Sequence, residues 1–389
     1  MKIAFAGTFG IPARYGGFET CVEEVSTRLV KRGHDVFVYC GYKPDSTSNT
    51  EYKGVALIHQ PYLYAFEIKL LSYPFRALCS TIDILFRDID IVQYFGTDVA
   101  LFTILPRLVS KKTVLWLDGF AWDRFSYPKW LRFFLRKTAG LALCLPNAST
   151  VDAIFARNWY QQYYHKAPIY IPYGTRIERR VDENVLLKYQ LEKEEYVLFV
   201  GRLIPEKGVH YLIEAFGKID TPLKLVIVGD DPFDKKNYVK SLKSRAAKNT
   251  QFLGFVFGKD YEELCKGAYL YVTPSKLEGT SPALLAAMGY GNCVLVSDIP
   301  GNLEVVGDAG VIFEAGNVGD LCDKLEYLLS NEDIVKAYRR KAVERVKQLY
   351  DWDKVTDQLE EIYLSLMRGF KGKSEQETHL SRAQKTENP

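Results

Sequence analysis

Apolar positions along this chain fall into two rhythms. Runs such as Lys2–Ala6, Asp35–Cys40, Tyr196–Val200 and Leu223–Val228 are short and nearly unbroken by polar residues, as in strands covered on both faces. Longer stretches repeat their apolar residues every three or four positions, as in Phe18–Arg32, Val209–Phe216 and Trp352–Met367, which predicts helices with one buried stripe. Further strands are predicted at Ile89–Phe95, Thr113–Trp116, Leu141–Leu145, Ile169–Ile171, Gln251–Phe252, Ala268–Val272, Cys293–Val296 and Val311–Phe313. Gly33 follows the first helical pattern as a C-terminal stop. Strands alternating with helices predict parallel sheets with helices on both sides.

The alternation pauses once. Tyr173-Gly174-Thr175 and the charged segment up to Glu195 separate two stretches, each the length of a doubly wound α/β domain. The expected organisation is therefore two Rossmann-like domains, 1–175 and 176–350, facing across a cleft. A helix over 351–370 closes the second domain and crosses back to the first. Residues 371–389 are polar, have no apolar face and read as a disordered tail. Ligands of such sheets sit beyond the carboxyl ends of the strands.

Composition narrows the class. A chain of 389 residues with 47% hydrophobic and 25% charged residues is globular and long enough for two domains. The seven cysteines are scattered with no CxxC pair, which fits reduced thiols in a cytoplasm rather than a disulfide frame. No apolar run is long enough to span a membrane, and Met1–Gly7 is too short for a signal segment. Net charge is +3, unevenly placed: residues 1–175 hold 20 Lys/Arg against 14 Asp/Glu, the rest 31 against 34. That excess is too mild for nucleic acid and compatible with anionic lipid. The five histidines show no ligand spacing, and Asp88-Ile89-Asp90 reads better as a strand entrance than as a DxD metal motif. No metal or cofactor is expected beyond a co-substrate.

Candidate chemistry sits after the predicted strands. Val200-Gly201-Arg202-Leu203-Ile204-Pro205-Glu206-Lys207-Gly208 joins a strand to a helix through a glycine and two cations. Gly201 lets the backbone approach a ligand. Helix-start N–H groups, the planar fork of Arg202 and the point charge of Lys207 suit a diphosphate. The same residues would also serve as a plain turn with solvated cations. Gly229-Asp230 ends another strand and lines the same cleft, unless Asp230 is only a turn residue. Gly16-Gly17 lies between the first strand and its helix, and Glu19 fits a helix cap there. Asp118, beyond Trp116-Leu117, is a carboxylate that could orient a substrate, take its proton or stabilise a developing positive charge; it also suits a turn before Gly119. Arg124 fits an acceptor phosphate or a surface ion pair. Trp130–Lys137 mixes bulky apolar residues with cations. It fits a membrane-surface helix, or a buried helix with snorkelling cations.

Thr273-Pro274-Ser275-Lys276-Leu277-Glu278-Gly279-Thr280-Ser281-Pro282, continuing to Gly289, together with Gly201–Gly208, resembles the C-terminal half of retaining family 4 glycosyltransferases. Those enzymes use nucleotide sugars and have the GT-B fold. Gly7–Thr20 (GTFGIPARYGGFET) and Asp118-Gly119 with Trp122-Asp123-Arg124 are similar to a bacterial and archaeal subgroup that includes rhamnosyltransferase-like enzymes. The resemblance runs from Met1 to about Gly369. It implies that Arg202 and Lys207 contact the diphosphate and that the backbone near Phe255 packs on the base. It implies that Glu278, the first carboxylate of a Glu-x7-Glu motif, accepts bonds from the sugar hydroxyls. Gly279, Thr280 and Ser281 would then offer groups to phosphate, and Gly16 and Gly17 would approach the donor. It also implies retention by front-face attack, in which the departing diphosphate helps to remove the acceptor proton.

The second carboxylate of that motif, which reads the ribose, is Ala286 here. A donor without a 2′-hydroxyl, such as a dTDP-sugar, would need it least; a degenerate site is the alternative. The expected function is transfer of a hexose or deoxyhexose to a growing, polyprenyl-linked glycan at a cytoplasmic membrane surface. The setting would be cell-surface polysaccharide or protein glycan assembly. A sugar-nucleotide epimerase of the same fold and a nucleotide-sugar-binding protein without turnover are the other readings.

Overall fold

The computed structural model describes residues 1–13, 16–41, 50–59, 69–117, 129–231 and 237–369. The first domain holds strands β1 (Lys2–Ala6), β2 (Asp35–Cys40), β3 (Glu51–Tyr52), β4 (Val55–His59), β5 (Ile91–Phe95), β6 (Lys112–Leu117), β7 (Ala148–Val151) and β8 (Ile169–Tyr170). They form one sheet in the order β3-β4-β2-β1-β5-β6-β7-β8, parallel except for β3 against β4. The second domain holds β9 (Tyr196–Val200), β10 (Lys224–Val228), β11 (Thr250–Gly254), β12 (Leu270–Thr273), β13 (Cys293–Ser297) and β14 (Val311–Phe313). These form a wholly parallel sheet ordered β11-β10-β9-β12-β13-β14.

Helices connect the strands. The first domain carries α1 (Gly17–Lys31), α2 (Lys69–Leu85), α3 (Ile104–Leu108), α4 (Lys129–Thr138), α5 (Leu141–Cys144) and α6 (Ile154–Tyr164). Next come α7 (Glu183–Lys188), α8 (Val209–Phe216), α9 (Tyr238–Arg245), α10 (Gly258–Gly267), α11 (Pro282–Gly289), α12 (Pro300–Val306), α13 (Val318–Ser330), α14 (Glu332–Leu349) and α15 (Trp352–Met367).

Two departures from the sequence reading have simple causes. Leu141–Leu145 is not a strand: α5 occupies it, and the strand beside β6 is β7. A five-residue apolar run has no period to separate the two states, and Leu and Ala favour helix. The β3–β4 hairpin was not predicted. Its turn residues Lys53 and Gly54 both have positive φ, 51° and 85°, as a two-residue primed turn requires. Gly33, at φ 86°, does follow the end of α1 and donates to Val30 O.

Apolar packing is continuous between the domains. A column of stacked rings runs from Phe5 through Phe95 and Trp116 to Tyr173, with centroids 6.3, 6.0 and 5.5 Å apart. The same cluster reaches Leu198, Met288 and Tyr363. The chain passes between the domains twice, side by side: Thr175 N–H donates to Tyr350 O at 2.7 Å. Gly174 lies flat on Trp352, where an added Cβ would come within 2.5 Å of the indole. Helix α15 then packs on α1. Glu360 accepts from Arg32 at 2.6 Å and meets His34 at 2.7 Å, while buried Tyr363 donates to Gln93 Oε1 at 2.9 Å.

Because Leu359 is buried at this crossing, Leu359→Ala should destabilise the protein by about 2–5 kcal/mol. Chemical denaturation followed by intrinsic fluorescence measures it. A change below about 0.5 kcal/mol would mean that α15 contributes little to holding the domains.

Candidate active site

In each sheet the strand order reverses beside the first strand, between β1 and β5 and between β9 and β12. Loops leaving such a switch point diverge and open a crevice for ligand. At the second switch point, β9 runs into Gly201 and Arg202, and β12 runs into Pro274 and Ser275 on the way to Glu278. Lys207 ends a single 3-10 turn, Pro205–Lys207, and Gly208 opens α8 at φ 68°. A Cβ on Gly208 would lie 2.0 Å from Pro274 O. Gly229, at φ 129° after β10, would put a Cβ 1.9 Å from Gly201 O. Only glycine permits both approaches.

The charged groups converge there. Lys207 forms an ion pair with Glu278 Oε1, and the same oxygen accepts from Ser275 Oγ at 2.8 Å. The pair is mostly covered, with side chains 20% and 10% exposed. Arg202 stands exposed beside it in sequence. Ser281 caps α11 through Oγ, accepting from Leu284 N–H at 3.4 Å, and Pro282 takes the first helical position. Gly279 leaves room for Gly301, whose Cβ would come within 2.5 Å of Gly279 O. Phe255 follows β11 and stacks on Phe257 at 5.8 Å and 12°. Gly229 N–H donates to Gly254 O at 2.7 Å, linking that segment to the β10 end.

The opposite wall belongs to the first domain. Gly16, at φ 94°, and Gly17 begin α1. A Cβ on Gly17 would fall 2.8 Å from Pro282 Cγ, so the starts of α1 and α11 meet across the domain boundary. Thr280 bonds to Asp152 twice: its N–H donates to Oδ2 at 3.3 Å and its Oγ1 to the backbone O at 2.6 Å. The N–H assigned to phosphate from sequence is thus engaged by a first-domain carboxylate. Glu304 on α12 accepts from Ile154 N–H at 2.7 Å and Phe155 N–H at 3.2 Å, capping α6 of the other domain. Burial raises the Glu304 carboxyl above its usual range, against the pull of those two N–H groups.

Glu19 is buried under the Gly16 turn and accepts from Phe9 N–H at 3.1 Å. A Cβ on Gly16 would sit 2.6 Å from Glu19 Oε2. Burial pushes the Glu19 carboxyl up to about 7, with the Phe9 N–H opposing it. Glu23 holds the neighbouring loop by accepting from Ala13 N–H at 2.8 Å. Sequence reasoning missed Asp152, Glu304 and Ser275; the partners of the first two lie 128 and 150 residues away, beyond any local signal. Asp118 and Arg124 fall outside the described residues; β6, the strand before them, ends at Leu117. Asp90 accepts from Lys2 N–H at 2.7 Å and Asp88 pairs with the Lys2 ammonium, so this pair of carboxylates holds the start of β1. Among the described residues no group of three or more potential ligands gathers for a metal, and no helix is long and apolar enough to cross a membrane.

Two parallel-sheet α/β domains facing across such loops make a GT-B-like fold. Sucrose-phosphate synthase from Thermosynechococcus elongatus superposes with a TM-score of 0.78 at 17% identity, over 95% of this chain and 99% of that one. Anabaena HepE, in complex with UDP and glucose, gives 0.75 at 19%, over 94% and 100%. Residues 184–348 match the family described as glycosyl transferases group 1, and with the glycosyltransferase relatives this makes the protein a glycosyltransferase. Residues 1–176 match a domain of unknown function, DUF1972. An uncharacterized glycosyltransferase of Methanocaldococcus jannaschii, MJ1069, is 26% identical over 94% of this chain and 98% of its own. A second from that organism, MJ1607, is 31% identical over 178 residues, 44% of this chain and 45% of its own. The Campylobacter jejuni N-acetylgalactosamine-N,N'-diacetylbacillosaminyl-diphospho-undecaprenol 4-alpha-N-acetylgalactosaminyltransferase is 29% identical over 40% of this chain and 43% of its own.

A carboxyl with a folded pKa of about 7 against 4.5 favours the fold when protonated. Its contribution is complete below the unfolded value and is lost as pH rises through the folded one, roughly 3 kcal/mol in all. Glu19→Gln, which keeps an acceptor for Phe9 N–H, should remove that loss. Wild type minus variant stability should therefore fall between pH 4.5 and 8, read from denaturation midpoints; a flat difference would place Glu19 as an ordinary ionised carboxylate.

Proposed function

We propose that the protein transfers a hexose or deoxyhexose from a nucleotide sugar to a growing lipid-linked glycan, with retention and without a metal. The observation carrying this reading is the Lys207–Glu278 pair at the second switch point, where β9 runs into Arg202, with Gly17 of the first domain against Pro282. As the bond from the sugar C1 to the diphosphate breaks, negative charge grows on the leaving oxygen. Lys207, held by Glu278, and Arg202 at the end of β9 would supply the cations that stabilise it. Glu278, now satisfied by Lys207 and Ser275, can exchange those partners for donor-sugar hydroxyls. The acceptor oxygen bonds to C1 on the face the diphosphate leaves and gives its proton to the departing oxygen, with Asp118 and Arg124 on the acceptor side. HepE, bound to UDP and glucose, and the undecaprenol-directed Campylobacter relative support a nucleotide-sugar donor and a lipid-borne acceptor. The Gly7–Thr20 motif supports the rhamnosyltransferase-like subgroup. Half-buried Ala286 gives the ribose no carboxylate, which favours a 2′-deoxyribose donor such as a dTDP-sugar.

Thermal stability against UDP-, GDP-, ADP- and dTDP-sugars tests this, because ligands that bind the folded state raise its midpoint. A dTDP-sugar should raise the wild-type midpoint most. Arg202→Ala should lose at least tenfold in affinity, equal to about 1.4 kcal/mol, and Ala286→Glu should gain affinity for ribose donors. Transfer activity should survive chelation by EDTA. If no sugar nucleotide shifts the midpoint, the donor site fails as proposed.

A further inference from the structure

Helix α4 turns large apolar side chains away from the core. Trp130 is 66% exposed and Phe133 65%, and both share a face with the exposed cations Lys129, Arg136 and Lys137. Positions 129, 130, 133, 136 and 137 line up along one side of a helix. The Lys137 ammonium lies 5.6 Å from the centre of the Phe133 ring. Arg136 continues the face onto α6, its guanidinium 5.2 Å from the centre of half-exposed Tyr163. The sequence pattern alone left a buried helix with snorkelling cations open; the exposure of Trp130 and Phe133 counts against it.

Within the segment that carries this face the charge is nearly all of one sign. Residues 129–166 contain six Lys and Arg and a single acid, Asp152. That acid is buried and engaged by Thr280, so the segment shows water cations and no carboxylate. Aromatic rings at its centre with cations around them match the interface of an anionic bilayer. There, rings settle at headgroup depth and Lys or Arg meets lipid phosphate. A second copy of the same face would bring like charges together, which disfavours self-association.

We propose that this outward face of α4, extended by Arg136 and Tyr163, docks the protein on an anionic phospholipid surface. The contact uses side chains outside the donor site, so it stands or falls separately from the donor reading. Docking would hold the first domain, the acceptor side, against the leaflet that carries a lipid-linked glycan.

Sedimentation of the full chain with vesicles of phosphatidylcholine, with or without phosphatidylglycerol, tests the proposal. Wild type should bind the anionic vesicles and not the neutral ones, and raised salt should weaken binding. The double variant Trp130→Ser/Phe133→Ser and the charge variant Lys129→Gln/Lys137→Gln should each bind at least tenfold more weakly. Both should keep the wild-type melting midpoint and its shift with the sugar nucleotide, since these side chains are exposed. The proposal is overturned if wild type ignores anionic vesicles or if both variants bind like wild type. It is also overturned if size-exclusion chromatography shows a dimer that the aromatic variant dissolves, because the face is then a self-interface. Loss of the sugar-nucleotide shift in wild type would instead count against the donor site alone.

Discussion

The second-domain side of the cleft depends on backbone packed directly against backbone. Gly208 lies on Pro274 O, Gly229 on Gly201 O, and Gly301 on the carbonyls of Glu278 and Gly279. These contacts tie the ends of β9, β10 and β12 and the start of α12 into one unit with no side chain between them. The positions of Lys207, Glu278 and Ser275 follow from that unit. Each side chain leaves a loop whose path is already fixed, which is how a site holds charges in place before ligand arrives. Lys207 and Glu278 also neutralise one another while mostly covered, so neither is left as an uncompensated charge in a poorly solvated place.

What could be read from the sequence divides along the same physical line. The limits of β1, β2, β9, β14, α8 and α15 follow from runs and periods strong enough to mark their own ends. Leu141–Leu145 did not reveal its state because its length is common to both. The loop positions of Arg202, Lys207 and Glu278 were legible because glycines mark the loops that carry them. Asp152 and Glu304 were not, since each follows ordinary local sequence and acquires its role only when the other domain arrives. Thr280 shows the limit most plainly: a free N–H at a helix start suggests an anion, and the fold supplies a carboxylate of its own. Glu19 sat in view beside Gly16, but its burial, the source of its altered acidity, belongs to the folded packing.

The two halves of the chain also differ in how they relate to other proteins. The half with Arg202 and Glu278 matches a glycosyltransferase family, while the half with Gly16 and Gly17 matches a domain of unknown function. A diphosphate asks much the same of every protein that holds it: cations, backbone N–H groups and close approach. Acceptors share no such common group, so the surface that receives them has fewer constraints. The outward aromatic face of α4 lies in the half that matches the domain of unknown function.

The side-by-side passage of the chain at Thr175 and Tyr350 has a mechanical meaning. Two adjacent covalent links behave like a door on paired pins, free to swing about the line through them and stiff against twisting. The bond from Thr175 N–H to Tyr350 O and the bed of Gly174 on Trp352 keep those pins together. Swinging would strain the bonds of Thr280 to Asp152 and of Glu304 to the start of α6. Any such swing would also have to part the apolar cluster shared by the two domains, and the paired crossings would bring them back in register.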